Sequence, residues 1–250
     1  MTHIVTELNE WHVIRKQSAN KTVGFVPTMG NLHAGHESLC VRSKKENALT
    51  VVSIFVNPTQ FNQSSDFQTY PRTLEKDIAL LKACEVDYLL LPHEKIMYPD
   101  HYQVQISETE ISSVLEGAYR PGHFTGMLTI VLKLLNVVQP TCAYFGEKDY
   151  QQLLLIKKMV SALLLSVDIV ACETVRAEDG LALSSRNSRL TALQREQAAH
   201  FPRLLRSDLS IDEMTSQLIA LGFKVDYIAE QWGRRLGAVW LGDVRLIDNV

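Results

Sequence analysis

Short apolar runs alternate with amphipathic stretches along the first two-thirds of the chain. Val23-Gly24-Phe25-Val26 is apolar throughout and too short for a helix, so it predicts a buried strand. His36 to Lys45 sets Leu39 and Cys40 on one side and Lys44, Lys45 and the following Glu46 on the other, the spacing of a one-faced helix. Leu49 to Val56, L-T-V-V-S-I-F-V, is rich in β-branched residues and apolar on both faces, as a central parallel strand is. Pro71 is read in the first turn of a helix that brings Leu74, Ile78 and Leu81 to one face. Val86 to Leu91 predicts another strand, stopped by Pro92. An apolar helix runs from Phe124 to Val138 and ends before Pro140. Cys142 to Phe145, Tyr150 to Leu164 and Val167 to Cys172 then read as strand, helix and strand.

This alternation implies parallel strands joined by right-handed crossovers, with helices on both faces. The expected fold is α/β, a Rossmann-type doubly wound parallel sheet. Ligands in such sheets bind beyond the carboxyl ends of the strands. The last third differs. Thr191-x-x-Gln194 and Ser210-x-x-Glu213 each match a capping box that opens a helix. Phe223 to Ile228, Ala238 to Leu241 and Val244 to Ile247 are short strands, the last two around a Gly242-Asp243 hairpin turn. Two helices and a small antiparallel sheet form a smaller C-terminal α+β lid domain, with the boundary near Thr174. The expected domains are therefore 1–174 and 175–250.

Composition narrows the class. Hydrophobic residues are 46% of the 250, enough for a sizeable core, and the net charge of -3 is spread along the chain. No basic run marks a nucleic-acid surface. The most apolar tract, Leu153 to Cys172, is interrupted by Lys157, Lys158 and Asp168 and does not fit a membrane span. The N-terminal M-T-H-I-V-T-E-L-N-E lacks the basic and apolar regions of a signal peptide. Cys40, Cys84, Cys142 and Cys172 are far apart with no C-x-x-C, which reads as reduced core thiols in a cytoplasmic protein without a zinc site. No metal-ligating set is assigned.

Four stretches carry chemistry, each where a strand or loop gives way to another element. V-P-T-M-G-N-L-H-A-G-H, Val26 to His36, follows the first strand. It lacks the G-x-x-x-x-G-K-[ST] of a P-loop, but the helix N-terminus can still hold a phosphate, and Gly30 and Gly35 permit close backbone approach. His33 and His36 supply imidazole donors; singly, either reads as a helix cap or surface residue. F-V-N-P-T-Q-F, Phe55 to Phe61, places Asn57 and Gln60 past a strand end, suited to a small hydroxy acid or amine. Read alone, it fits a polar turn equally well. F-G-E-K-D-Y-Q-Q, Phe145 to Gln152, offers Lys148 to an anion and Asp149 to ribose hydroxyls, although Asp149 and Gln152 also resemble a helix cap pair. V-R-A-E-D-G-L-A-L-S-S-R-N, Val175 to Asn187, groups Ser184, Ser185 and Arg186, two hydroxyls and a guanidinium suited to a triphosphate. By itself S-S-R-N is a surface turn. The residues contain no Ser–His–Asp or Cys–His set.

His-x-Gly-His after the first strand is the signature of the nucleotidyltransferases that include class I aminoacyl-tRNA synthetases, and Ser184 to Arg186 stands where their K-M-S-K-S loop does. The four stretches together resemble the pantoate–β-alanine ligase family over almost the whole chain. Further matching text is Y-P-R-T at Tyr70 to Thr73, M-Y-P at Met97 to Pro99, E-G-A-Y-R-P-G-H-F-T-G from Glu116 to Gly126, and R-L-I-D-N from Arg245 to Asn249.

The resemblance implies ATP-dependent condensation of pantoate with β-alanine through a pantoyl adenylate. It implies ATP contacts at Met29, Gly30, Asn31, Leu32, His33, Ala34, Gly35 and His36. Further ATP contacts fall at Gly146, Glu147, Lys148, Asp149, Val175, Leu183, Ser184, Ser185 and Arg186. Asn57, Gln60 and Gln152 would bind pantoate. His36 is the expected proton donor, with His33, Lys148 and Arg186 neutralising phosphate charge. Mg²⁺ is expected on the ATP phosphates, with Asp77 a further candidate contact, and the implied assembly is a homodimer. The first domain would bind ATP and pantoate, and the second would exclude water from the mixed anhydride. One departure is expected: Glu230-Gln231-Trp232-Gly233 cuts across the strand text and shortens the lid. The rivals are a cytidylyltransferase on a phosphorylated substrate, a nucleotide-binding regulator with a failed site, and a synthetase fragment acting on tRNA.

Overall fold

The computed structural model describes residues 2–62 and 64–250. The chain divides into two compact units, Met1–Gly146 with Gln151–Cys172, and Glu147–Tyr150 with Glu173–Val250.

In the first unit six parallel strands form one sheet. They are β1 (His3–Val5), β2 (Val23–Thr28), β3 (Leu49–Ile54), β4 (Tyr88–Leu90), β5 (Cys142–Gly146) and β6 (Asp168–Cys172), in the order β1-β4-β3-β2-β5-β6. The chain winds from β2 outward through β3 to β4, then returns to lay β5 and β6 on the other side of β2. This is the doubly wound sheet that the alternation predicts, and its direction reverses between β2 and β5. β2 pairs with β3 from Val23↔Leu49 to Thr28↔Ile54, but with β5 only at Gly24↔Cys142 and Phe25↔Ala143. Pro27 has no N–H to donate and lies where β5 has already left the ladder. The sheet therefore splays at the carboxyl ends of β2 and β5.

The hydrophobic effect holds this frame. Val26, Val52 and Leu89 from the sheet are buried with Cys40 of the helix Ala34–Glu46 and Leu81 of the helix Leu74–Ala83. Each large side chain so buried contributes roughly 1.5–3 kcal/mol. The helix His123–Val138 is buried along most of its length, and Trp11 Nε1 donates to Val137 O at 2.8 Å. β1 and the helix Leu8–Gln17 have no counterpart in the sequence reading. Only Val5 of β1 and Trp11 of the helix are buried, too few to show a period. Pro71 lies outside the helix: Thr73 is the cap residue, and its carbonyl accepts the first helical bond from Asp77 N at 2.9 Å. Among the described residues no helix is long and apolar enough to cross a membrane.

The second unit is α+β. β7 (Lys224–Gln231), β8 (Arg234–Leu241) and β9 (Val244–Asn249) form an antiparallel sheet in that order. Its core joins Val239 and Leu246 to Ala198, Phe201, Met214 and Leu218 of three helices, Ala192–Ala198, His200–Leu205 and Ile211–Ala220. Both capping boxes form. Gln194 N donates to Thr191 Oγ1 at 3.2 Å while Thr191 N donates to Gln194 Oε1 at 3.0 Å, and Ser210 and Glu213 exchange the same bonds. Glu230-Gln231-Trp232-Gly233 does not cut across the strand. Glu230 and Gln231 continue β7 opposite Arg235 and Arg234, and Trp232-Gly233 is a two-residue turn with φ of +53° and +73°. Positive φ at both positions matches the right-handed twist of the flanking strands.

Candidate active site

The loop after β2 crosses the splayed end of the sheet and becomes the helix Ala34–Glu46. Two histidines cap that helix reciprocally. Gly35 N donates to His33 Nδ1 at 3.1 Å, and His33 N donates to His36 Nδ1 at 3.3 Å. A backbone N–H only donates, so both Nδ1 atoms are acceptors. The neutral rings therefore carry their protons on Nε2, the side away from the cap. The ring centroids are 4.2 Å apart. Helix capping and anion recognition are thus compatible: one nitrogen orders the helix start and the other remains a donor beside the positive end of the helix dipole.

Asp77 holds this loop from below. It is buried, and its carboxylate accepts from Asn31 N at 3.0 Å, Leu32 N at 2.8 Å and Thr73 Oγ1 at 3.1 Å. Gly30, at φ +80°, passes directly over it, where a β-carbon would lie 3.1 Å from Asp77 Oδ2. With both oxygens engaged by protein donors, Asp77 is a brace for the loop. Among the described residues no group of three or more His, Cys, Asp or Glu could hold a metal ion.

Past β3, Asn57 and Gln60 are both buried, and Asn57 Nδ2 donates to Gln60 Oε1 at 2.9 Å. The backbone carbonyl of Gln60 accepts from His123 Nδ1 at 2.8 Å and Arg120 Nη2 at 3.3 Å. Gly126 brings the helix His123–Val138 against this turn; a β-carbon there would collide with Thr59 O and come within 2.8 Å of Gln60 N. Gln152, the other expected substrate contact, is half-buried on the helix Tyr150–Ala162. Its neighbour Gln151 is buried and structural, donating to Ile111 O and Val114 O at 2.8 Å each.

In the second unit two more stretches converge on the end of β9. Asn249 Nδ2 donates to Glu147 O and Lys148 O, each at 2.9 Å, and Arg234 pairs with Glu147 at 2.7 Å. Asp248 receives Arg176 in a two-pronged ion pair at 2.6 and 2.9 Å. Arg176 forms a bridge with Ala182, whose carbonyl accepts from Asn187, and Leu183 N donates to Val175 O at 3.0 Å. Lys148, Asp149, Val175, Leu183, Ser184, Ser185 and Arg186 are thereby organised by one terminal strand. Ser184 caps the turn Ser185–Arg189, its Oγ accepting from Arg186 N at 3.2 Å. Asp149 and Gln152 form no cap pair: a 3₁₀ turn Glu147–Asp149 runs directly into the helix, and Asp149 lies 3.7 Å from Lys148 Nζ.

Cys40, Cys84 and Cys142 are not set up as nucleophiles. Burial pushes Cys40 up to about 12 and raises Cys84 and Cys142 above the ordinary thiol range. A surface hollow lined by Arg15, Gln139, Thr141 and Asp168 is at the amino-terminal ends of β5 and β6, the wrong end of the sheet for a doubly wound ligand site. Sequence reading assigned no role to Tyr98, Arg120, His123, Arg176 or Asn249. Their only signal was fixed text, as in M-Y-P, E-G-A-Y-R-P-G-H-F-T-G and R-L-I-D-N.

The model of the pantoate-beta-alanine ligase family matches residues 1–250. A pantothenate synthetase of Legionella pneumophila is 53% identical over 247 residues, 98% of each chain. One of Coxiella burnetii is 52% identical over 250 residues, 100% of this chain and 97% of that one. The crystal structure of the Francisella tularensis pantoate-beta-alanine ligase, complexed with beta-gamma ATP and beta-alanine, has a TM-score of 0.96 at 45% identity, covering 100% of this chain and 97% of that one.

Proposed function

The chain belongs to the pantoate–β-alanine ligase family and condenses pantoate with β-alanine at the expense of ATP, and we propose that His33 and His36 act in the adenylation step. In that step a pantoate carboxylate oxygen attacks the α-phosphorus of ATP. The bond to the bridging oxygen breaks, leaving pantoyl adenylate and pyrophosphate. The amine of β-alanine then attacks the activated acyl carbon. The C–O bond breaks, the amine loses a proton, and pantothenate and AMP result.

Neither step needs a protein nucleophile. The requirements are alignment of reactants and donors placed where negative charge grows. The observation that carries the reading is the pair of Nε2–H donors at the splayed end of β2, held by the reciprocal cap. His36 is the proposed proton donor. His33, Lys148, Ser184, Ser185 and Arg186 are assigned to the phosphates, Asp149 to the ribose, and Asn57, Gln60 and Gln152 to pantoate. Mg²⁺ would neutralise phosphate charge and would be carried by the nucleotide. A homodimeric, cytoplasmic enzyme completes the proposal; light scattering of the purified chain checks the dimer.

The reading is tested by products. ATP, pantoate and β-alanine should yield AMP, pyrophosphate and pantothenate in equal amounts. ADP and orthophosphate, or a preference for CTP, would overturn it.

Two site variants separate the ligands. Gln60→Ala should raise KM for pantoate about tenfold, since a buried hydrogen bond to a charged partner is worth about 1.5–3 kcal/mol, with KM for ATP little changed. Equal loss for both substrates would mean that only the loop was disturbed. Asp77→Asn should do the reverse. Its two oxygens each accept from a backbone N–H, so either orientation of the amide sets N–H against N–H. KM for ATP should rise about tenfold or more, with pantoate binding retained. Unchanged ATP kinetics would remove Asp77 from the loop's support.

A further inference from the structure

The hydrogen bonds around Asn57 determine which end of the Gln60 amide faces the substrate. The carbonyl of Gly126 can only accept, and it lies 3.1 Å from one terminal atom of Asn57, which must therefore be Nδ2. On the opposite side, Tyr98 Oη donates to Asn57 Oδ1 at 2.7 Å, and Thr59 Oγ1 donates to the same oxygen at 3.0 Å. Gly126 O fixes the orientation of Asn57, and both hydroxyls meet the resulting Oδ1 as donors. Its second N–H points at Gln60, so the Gln60 atom 2.9 Å away is Oε1. That leaves Gln60 with the two protons of Nε2, and among the described residues no group accepts from them.

Tyr98 is built to persist as the donor. It is buried, its ring lies 4.3 Å from Lys133 Nζ, and burial raises its hydroxyl further above neutral pH. The backbone of Gln60 is fixed separately through His123 and Arg120. Arg120 Nη1 faces His123 Nε2 at 3.1 Å, and a guanidinium only donates, so the imidazole proton is on Nδ1 and bonds Gln60 O.

We propose that Tyr98, acting through Asn57, is a positioning residue that makes Gln60 a donor-only contact, and that this contact selects an oxygen acceptor of the acid substrate. The inference rests on the reading of Gln60 as a pantoate contact. A donor-only amide favours a hydroxyl or carboxylate oxygen at this position and disfavours an ammonium group. The amine substrate is thereby kept out of the place of the acid.

The test compares variants by pyrophosphate release with ATP and pantoate. Gln60→Glu still accepts from Asn57 but turns an acceptor toward an anion. It should raise KM for pantoate beyond the value for Gln60→Ala, by a further tenfold or so, with KM for ATP unchanged. Tyr98→Phe keeps the ring and loses the donor; its KM for pantoate should rise about three- to tenfold with kcat within about twofold. Tyr102→Phe removes a neighbouring hydroxyl bonded to Glu94 instead and should match the wild-type constants. Thermal midpoints should stay near wild type throughout. Should Gln60→Glu bind pantoate better than Gln60→Ala, Gln60 presents its oxygen and the inference is wrong. An unchanged KM in Tyr98→Phe overturns the role of Tyr98. If the wild-type chain releases no pyrophosphate with pantoate, it is the underlying reading of function that fails.

Discussion

His36→Ala should lower the rate of pyrophosphate release by about 10²–10³-fold while the fold is retained. Removing one preorganised donor from a site of developing charge typically costs about 2.7–4 kcal/mol of transition-state stabilisation. The substitution also removes a capping acceptor, because His36 Nδ1 accepts from His33 N. Loss of a cap costs about 1 kcal/mol and acts on the helix start. His36→Asn separates the two effects. Its short amide can still accept from His33 N, but it has no donor at the distance of Nε2. Single-turnover measurement should find both variants slow, with Asn closer to wild type in melting temperature. Near-normal pyrophosphate release from either would remove His36 from the mechanism.

Arg176→Ala should destabilise the second unit by about 3–5 kcal/mol, the range for stripping one partner from a buried ion pair. The Asp248 side chain is 1% exposed and receives both prongs of the guanidinium. Alanine would leave that buried carboxylate with the backbone N–H of Asn249, at 2.8 Å, in place of the fork. Arg176 Nη2 also donates to Asn249 O at 3.1 Å, and Asn249 holds the carbonyls of Glu147 and Lys148. The loss should therefore reach the turn that carries Lys148. Trp232 and Trp240 both belong to the second unit, so tryptophan emission during urea unfolding follows it, with Trp11 reporting on the first. The midpoint of the second unit should fall by about 1 M urea or more. Arg176→Lys keeps the charge but not the fork and should fall between alanine and wild type. A shift below about 0.5 kcal/mol for alanine would mean that the pair does not anchor β9.

The strands of the parallel sheet are legible because each is a short apolar run with both faces buried, and the two capping boxes because their signal is local. β1 was not, since one buried residue in three has no period. The tight turn at Trp232-Gly233 was misread because a non-glycine residue at positive φ carries no plain signature in sequence. Within the candidate site, His33, His36, Asn57, Gln60 and Lys148 stand out by side-chain chemistry at strand ends. Their supports do not, because each support is distant in sequence: Asp77 bonds Leu32 from 45 residues away, Tyr98 bonds Asn57 from 41, and Asn249 bonds Lys148 from 101. Periodicity reports on a residue's own element, whereas these bonds exist only once the sheet or the terminal strand has formed.

Isotope transfer from the acid to the nucleotide distinguishes the adenylate route from every phosphate-forming alternative. With pantoate labelled with ¹⁸O in its carboxylate, together with ATP and β-alanine, one labelled oxygen should appear in AMP and none in pyrophosphate. Label in orthophosphate alongside ADP, or AMP without label, would contradict attack of the pantoate carboxylate on the α-phosphorus.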